Sequence, residues 1–156
     1  MNRSFVHWAV MAHAIIAVVA DSFATQVIQV SPKELAQESQ LVVDGKVASV
    51  RSYWNEDRSK IFTEAVITVA GTHKGSAGQS VRVVLPGRVV GNVRMTAHGA
   101  LQWKKGEEVL LFLEPALPGA YQVAGFSQGK FMIERDPRTG QSFVKQAMPA
   151  DARDSH

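Results

Sequence analysis

Short runs of alternating hydrophobic and polar residues, separated by glycine, proline and polar clusters, fill most of the chain after residue 40. A period of two predicts β-strands that bury one face each. The predicted inward rows are Leu41, Val43 and Val47 in the first run and Ile61, Thr63, Ala65, Ile67 and Val69 in the second. Gly45 interrupts the first run and predicts a β-bulge or tight bend there.

Further strands are predicted at residues 81–85, 109–113, 121–123, 131–133 and 143–144. The run VLLFL at 109–113 is apolar on both faces, so we expect it to be the most buried strand. Segments that are polar, or that contain glycine or proline, predict the chain reversals between strands. These segments are residues 55–59, 74–78, 86–87, 118–119 and 136–140, and Pro115 is expected to help close the VLLFL strand.

One short helix is predicted ahead of the strands. Ser31 and Glu34 have the spacing of a capping box, and Pro32 stands at the first helical position. The helix is expected to stop near Ser39. Strands without regular strand–helix alternation argue against a doubly wound parallel sheet. The predicted fold class is therefore all-β with one short helix, as an OB-like Greek-key barrel of five or more strands. A β-sandwich is the alternative.

Residues 1–24 have the pattern of a cleaved signal peptide. Arg3 supplies a positive charge, residues 8–20 (WAVMAHAIIAVVA) are apolar except for His13, and Ala24 fits a cleavage site. Cleavage after Ala20 is an alternative. The apolar stretch is short for a membrane span, so no stable span is expected after cleavage. Export then predicts a secreted or periplasmic protein.

The chain has 156 residues, no cysteine and a formal charge of +3. This length fits one domain, which must be stabilised by a core rather than by disulfides. An exported chain without cysteine favours a bacterial source. The predicted organisation is a signal peptide (residues 1–24), an N-terminal segment with the helix (25–39), a barrel (40–147) and a loose tail (148–156).

Three stretches carry a resemblance to netrin-like modules, which include the N-terminal domain of tissue inhibitors of metalloproteinases. They are residues 41–50 (LVVDGKVASV), 62–75 (FTEAVITVAGTHKG) and 106–113 (GEEVLLFL). The chain also resembles exported bacterial proteins of unassigned function, which have a segment like residues 128–131 (QGKF). The resemblance implies an OB-like barrel. In the inhibitors an N-terminal cysteine chelates the target's zinc, and this chain has none, so no functional residue is carried over.

The sequence contains no recognisable catalytic or metal-binding motif. His73 and His98 are far apart and no thiolate is present, so neither a metal nor another cofactor is expected. Ser127 and Lys130 match the S-x-x-K pattern, but Gly129 argues against the helix that would bring them together. A small hydrolase or metal enzyme remains an alternative, if His73 or His98 meets a carboxylate such as Glu64 in a deep pocket.

Two aromatic and basic clusters are the candidate binding regions. Arg51, Tyr53, Trp54 and Arg58 lie near one predicted hairpin. The long segment 88–105 contains a second cluster: Arg88, Arg94, His98, Trp103, Lys104 and Lys105. Such sets suit single-stranded nucleic acid, but export and the modest net charge argue against that partner.

Segment 88–105 is long for a connection, and long loops are often functional. The alternative is that Val89, Val93 and Met95 form another strand and that Trp103 covers the core. Trp54, in a polar hairpin, is the better candidate for an exposed anchor. The candidate binding residues are Trp54, Arg58, Arg88, Arg94, His98 and Trp103.

The function expected from these patterns is that of an exported, non-catalytic binding module. Its loops would recognise an exported protein or a glycan through aromatic anchors and arginines. Neither an enzyme nor a nucleic-acid-binding protein is expected. A regulator of a co-secreted metalloprotease without the N-terminal chelator is a further alternative, beside the hydrolase.

Overall fold

The computed structural model describes residues 30–95, 101–125 and 127–147. These residues form one short helix and nine strands. In chain order the elements are α1 (Pro32–Glu38), β1 (Leu41–Trp54), β2 (Ile61–Lys74), β3 (Ser80–Pro86), β4 (Arg88–Val90), β5 (Val93–Met95), β6 (Glu108–Leu117), β7 (Ala120–Val123), β8 (Lys130–Arg135) and β9 (Ser142–Gln146).

Seven of these strands form one mixed sheet in the order β1-β2-β3-β7-β6-β8-β9. Strand β6 also pairs with β1 from Leu41–Leu113 to Lys46–Glu108, so β1, β2, β3, β7 and β6 make a partly closed ring. The parallel contact between β3 and β7 is one ladder pair, Val83–Tyr121. This arrangement confirms the predicted all-β class with an OB-like barrel rather than a sandwich.

The side chains that point into the ring are the ones predicted to face inward. Val43, Val83, Val109 and Leu111 have no exposed surface, and the core continues through Ile67. Strand β6 contributes buried residues on both faces, because Phe112 on its outer face is only 8% exposed. The alternation predicted for residues 41–47 and 61–69 is therefore confirmed.

The bend predicted at Gly45 is present as a shift of register between Asp44 and Gly45 in the β1–β2 ladder. A Cβ atom at Gly45 would overlap the carbonyl oxygen of Thr68 on β2. Glycine is required here because the two backbones approach too closely for any side chain.

Helix α1 begins with the predicted capping box. The Ser31 hydroxyl accepts from the Glu34 N–H at 3.2 Å, and the Glu34 carboxylate accepts from the Ser31 N–H at 2.9 Å. The helix covers the outer face of the barrel, where its buried Leu35 forms a second apolar cluster with Val42, Phe112 and Ala124. This cluster explains why β6 is apolar on both faces.

Two strand boundaries differ from the prediction. Strand β1 extends to Trp54, because residues 49–54 continue to pair with β2 as far as Trp54–Ile61. Pro115 does not close β6, which continues to Leu117. Pro115 is tolerated because it lies beside a register shift, where a missing backbone N–H does not break a regular ladder.

The described parts of segment 88–105, residues 88–95 and 101–105, are a hairpin and a core segment. Strands β4 and β5 pair as a separate two-stranded sheet, so the predicted single strand is two short ones. Leu101 and Trp103 then lie in the core at 2% and 4% exposure. Among the described residues, no helix is long and apolar enough to cross a membrane. The predicted signal peptide, His98 and the predicted tail lie outside the described residues.

Candidate functional site

The outer face of β1, β2 and β3 carries a cluster of charged and aromatic side chains. Alternation turns Thr63 and Ala65 inward, so Glu64 between them lies on the outer face. The β1–β2 ladder pairs Glu64 with Arg51, and the β2–β3 ladder places Arg82 one diagonal step away. Three consecutive strands therefore bring one carboxylate and two guanidinium groups together.

Glu64 is the buried centre of this cluster. Its side chain is 3% exposed, whereas those of Arg51 and Arg82 are 66% and 47% exposed. Arg51 donates its Nε–H to Oε1 of Glu64 at 2.9 Å. Arg82 donates from Nε at 2.9 Å and from Nη2 at 2.5 Å to Oε2. Each carboxylate oxygen thus holds one arginine in a fixed direction.

The charges in this cluster stabilise one another. Burial acts to raise the pKa of Glu64, but the hydrogen bonds and positive charges of Arg51 and Arg82 outweigh it and hold that pKa below its ordinary value. The hydrogen bond to Glu64, followed by the charge of Glu64, raises the pKa of Arg51. With two guanidinium groups and one carboxylate, the cluster carries one net positive charge.

Two aromatic rings adjoin the arginines. The guanidinium carbon of Arg51 lies 5.3 Å from the centroid of the Tyr53 ring. The Tyr53 ring stacks on Phe62, its cross-strand partner, with centroids 6.2 Å apart and planes at 29°. We call the five residues Arg51, Tyr53, Phe62, Glu64 and Arg82 the arginine surface.

The β1–β2 turn holds two of the sequence-predicted binding residues. Arg58 is exposed and has a positive φ of 57°, which the turn accommodates through hydrogen bonds from Arg58 N to Asn55 O and from Lys60 N to Asn55 Oδ1. Trp54 is half-buried and pairs with the buried Ile61. Trp54 is therefore a partly covered aromatic residue at the strand end.

The second predicted region lies close to this turn. Strand β4 contacts β1 and β2, and the Gly87 N–H donates to the Ile61 carbonyl at 2.7 Å. The backbones of Arg88 and Arg94 lie on β4 and β5, which pair Arg88 with Met95 and Val89 with Arg94. The fold thus brings β4, the start of the second predicted region, against the two strands of the first.

Trp103 does not belong to an exposed binding region. It is 4% exposed and packs in the main core, as the alternative interpretation of its segment expects. The Nζ of Lys130 lies 4.2 Å from the Trp103 ring centroid and donates to the Gln102 carbonyl at 2.6 Å and to Glu107 at 3.0 Å. The ring is thus enclosed in the core rather than exposed at the surface, and a binding role for Trp103 stays a prediction.

A shallow groove lies on the outer face near β9. It is lined by Asp44, His73, Leu110, Ile133, Ser142, Phe143 and Val144. His73 Nε2 and Asp44 Oδ1 are 2.7 Å apart, and a Cβ at Gly71 would overlap Asp44 Oδ1. His73 thus meets a carboxylate, but the partner is Asp44 rather than Glu64. Among the described residues, no three histidine, aspartate or glutamate side chains are grouped to hold a metal ion.

Sequence reasoning placed Arg51 and Tyr53 in a candidate cluster but missed Glu64 and Arg82 as their partners. Both missed residues are charged side chains on the outward-facing positions of predicted strands, between otherwise uncharged neighbours on the same face. An acidic residue in one such strand and a basic residue in the next are signals that could have found them. Their meeting depends on the strand register, which alternation alone leaves open.

Comparisons with known proteins give no relative for this chain: no family model, no curated protein and no solved structure matches it.

Proposed function

We propose that the chain is an exported, non-catalytic binding module that recognises a protein or glycan partner through the arginine surface and the adjacent β1–β2 turn. The observation that carries the proposal is the buried Glu64 carboxylate holding two exposed guanidinium groups. Arginines whose direction is fixed by a carboxylate, beside aromatic rings, are typical of binding hot spots. Because both Glu64 oxygens are bound by arginine, Glu64 is poorly suited to act as a catalytic base.

Affinity capture of the tagged mature chain from the exported proteins of its own source tests this proposal. Arg51→Ala and Arg82→Ala should each reduce recovery of the partner several-fold. Circular dichroism should show that both variants keep the fold of the unaltered chain. Arg138→Ala, an exposed arginine in the turn after β8, is the matched control. Equal capture by all of these variants, or no specific partner for the unaltered chain, would contradict the proposal.

Export rests on the pattern of residues 1–24. Expression of the full chain in a bacterial host, followed by mass spectrometry of the exported fraction, should recover a protein that begins after Ala24 or Ala20. Recovery of only the uncleaved chain from the cytoplasm would contradict this part of the proposal. A co-exported metalloprotease is one partner that the netrin-like resemblance implies, and its activity in the presence of the mature chain tests that alternative.

The Asp44–His73 pair favours hydrolysis as a second candidate function. An imidazole oriented by a carboxylate is a common general base, and Ser142 lines the same groove. Incubation of the mature chain with p-nitrophenyl acetate and p-nitrophenyl phosphate tests this candidate. Turnover that is lost in His73→Ala and Ser142→Ala would support a hydrolase, whereas no turnover above background would exclude these two reactions.

A further inference from the structure

We infer that the arginine surface binds a single carboxylate group from an aspartate or glutamate side chain in an acidic segment of a partner protein. This inference rests on the proposed function and gives its ligand a chemical class.

Each arginine keeps unused hydrogen-bond donors. Arg51 contacts Glu64 through Nε alone, and no described residue accepts a hydrogen bond from its Nη1 or Nη2. Arg82 uses Nε and Nη2 on one Glu64 oxygen, which leaves Nη1. Since the Arg51 and Arg82 side chains are 66% and 47% exposed, these donors are open to a ligand. A carboxylate matches the two parallel N–H groups of a guanidinium fork.

The charge of the cluster matches one carboxylate. Two guanidinium groups and the Glu64 carboxylate leave one positive charge in excess. A bound aspartate or glutamate side chain brings this sum to zero. A phosphate, with a charge between −1.5 and −2 at neutral pH, would leave an excess of negative charge beside the buried Glu64.

The surroundings of the Tyr53 ring favour a peptide over a sugar. Sugars usually dock on an open aromatic face, but the Tyr53 ring already contacts Phe62 on the neighbouring strand and the Arg51 guanidinium group. The ring therefore supports an arginine instead of offering a bare platform. Half-buried Tyr53 and Phe62 can still pack against an apolar residue that flanks an acidic side chain.

Glu64 acts as a positioning residue at this site. It is buried beneath the two arginines, so its part is to fix the direction of their free N–H groups. Glu64→Gln keeps the shape but loses the charge, so both guanidinium groups become less restrained. The variant also gains one net positive charge, but we expect the cost of ordering each arginine on binding to outweigh it, so the affinity for the acidic peptide falls by about threefold to tenfold.

Titration of the 15N-labelled mature chain with two short peptides tests the inference. The probes are acetyl-Ala-Leu-Glu-Leu-Ala-amide and the same peptide with glutamine in place of glutamate. The Nε–H resonances of Arg51 and Arg82 should shift with the glutamate peptide only. Arg51→Lys should weaken binding by about tenfold, since an ammonium group cannot form the two-pronged contact. Arg138→Ala should bind like the unaltered chain.

Two further probes separate the sources of an anion. Digalacturonate represents an acidic glycan and inorganic phosphate represents a phosphoryl group. Tighter binding of either probe than of the glutamate peptide would overturn the inference in favour of that class. Equal shifts with both peptides, or no shift with any probe, would also overturn it. The capture experiment with Arg51→Ala decides the proposed function separately, because it needs no assumption about the ligand.

Discussion

Among the residues that the structure describes, two charged side chains are buried, Lys130 and Glu64, and their surroundings are opposite. Lys130 is 1% exposed and lies against the core residue Trp103. Its Nζ donates to the Gln102 carbonyl and to Glu107, whose side chain is only 14% exposed. Glu64 is buried to a similar degree, yet its partners Arg51 and Arg82 lie at the surface.

This difference separates a charge held wholly inside the protein from one that orients exposed side chains of the proposed binding surface. The Lys130 cluster joins strand β8 to the segment before β6, and its groups are directed into the protein. Glu64 directs two guanidinium groups outward and leaves some of their donors open. Burial of a charged residue therefore does not by itself mark a functional site, because the exposure of its partners decides what it can bind.

Removal of the Lys130 amine should cause the largest loss of stability. Lys130→Ala leaves the Glu107 carboxylate and the Gln102 carbonyl without this donor in a largely buried place, and we expect a loss of about 3 kcal/mol in the free energy of unfolding. Urea denaturation followed by tryptophan fluorescence measures it. Lys145→Ala, an exposed lysine on β9, should change stability by less than about 0.5 kcal/mol.

The double variant Lys130→Met with Glu107→Gln sharpens this result. It removes both charges while keeping most of the volume, so it should recover part of the stability lost in Lys130→Met alone. A loss in the double variant that equals or exceeds the sum of the losses in Lys130→Met and Glu107→Gln would show that the charges do not act as a pair.

Replacement of the Glu64 carboxylate should have a smaller effect. Glu64→Gln weakens the contacts to both arginines, but their exposed guanidinium groups regain water, so we expect a loss of about 1–2 kcal/mol. Glu134→Gln, at an exposed position on β8, is the control for urea denaturation. A loss as large as that of Lys130→Ala would remove the distinction between the two clusters.

Acid should remove the contribution of Glu64 to the free energy of unfolding, so the unaltered chain should lose more stability at low pH than Glu64→Gln does. The pKa of Glu64 is lowered in the folded state, so its stabilisation is present above the ordinary carboxyl pKa of about 4.3 and is lost as the pH falls through the lower folded value. The stability gap between the unaltered chain and Glu64→Gln should be about 1 kcal/mol smaller at pH 3 than at pH 7. A gap that is constant with pH would contradict the ion pairs.

Arg51→Ala should have the smallest effect on stability. Its side chain is 66% exposed, and exposed ion pairs contribute less than about 1 kcal/mol. We expect a change of about 0.5 kcal/mol in urea denaturation, together with the loss of binding described above. A destabilised variant that still captures its partner would assign Arg51 to the structure rather than to recognition.

Much of the fold could be predicted from periodicity and turn chemistry. The inward row of β2 and the capping box of α1 follow from local patterns, and both are observed. Pro115 shows where local rules fail, because a proline beside a register shift does not end a strand. The division of segment 88–105 into a hairpin and a core segment depends on contacts with distant strands, which a local pattern does not contain.

The candidate site could be predicted only in part. Arg51 and Tyr53 stand close together in the sequence, so their cluster is visible there. Glu64 joins them because the register of β1 with β2, shifted by bulges, pairs it with Arg51. Arg82 joins them because the register of β2 with β3 places it diagonally opposite Glu64. Lys130 is the opposite case, since nothing in its neighbourhood along the chain indicates that its amine meets Gln102 and Glu107.

Strands β3 and β7 are joined by the single parallel pair Val83–Tyr121, so their junction has the fewest ladder pairs in the ring. Transient separation of β3 from β7 would turn the partly closed ring into an open, curled sheet. The long ladders β1–β2, β2–β3 and β1–β6 would stay paired. Arg51, Glu64 and Arg82 all lie on the same side of that junction, on strands that stay paired with each other. The arginine surface, proposed here as a binding surface, can therefore keep its geometry when β3 and β7 separate.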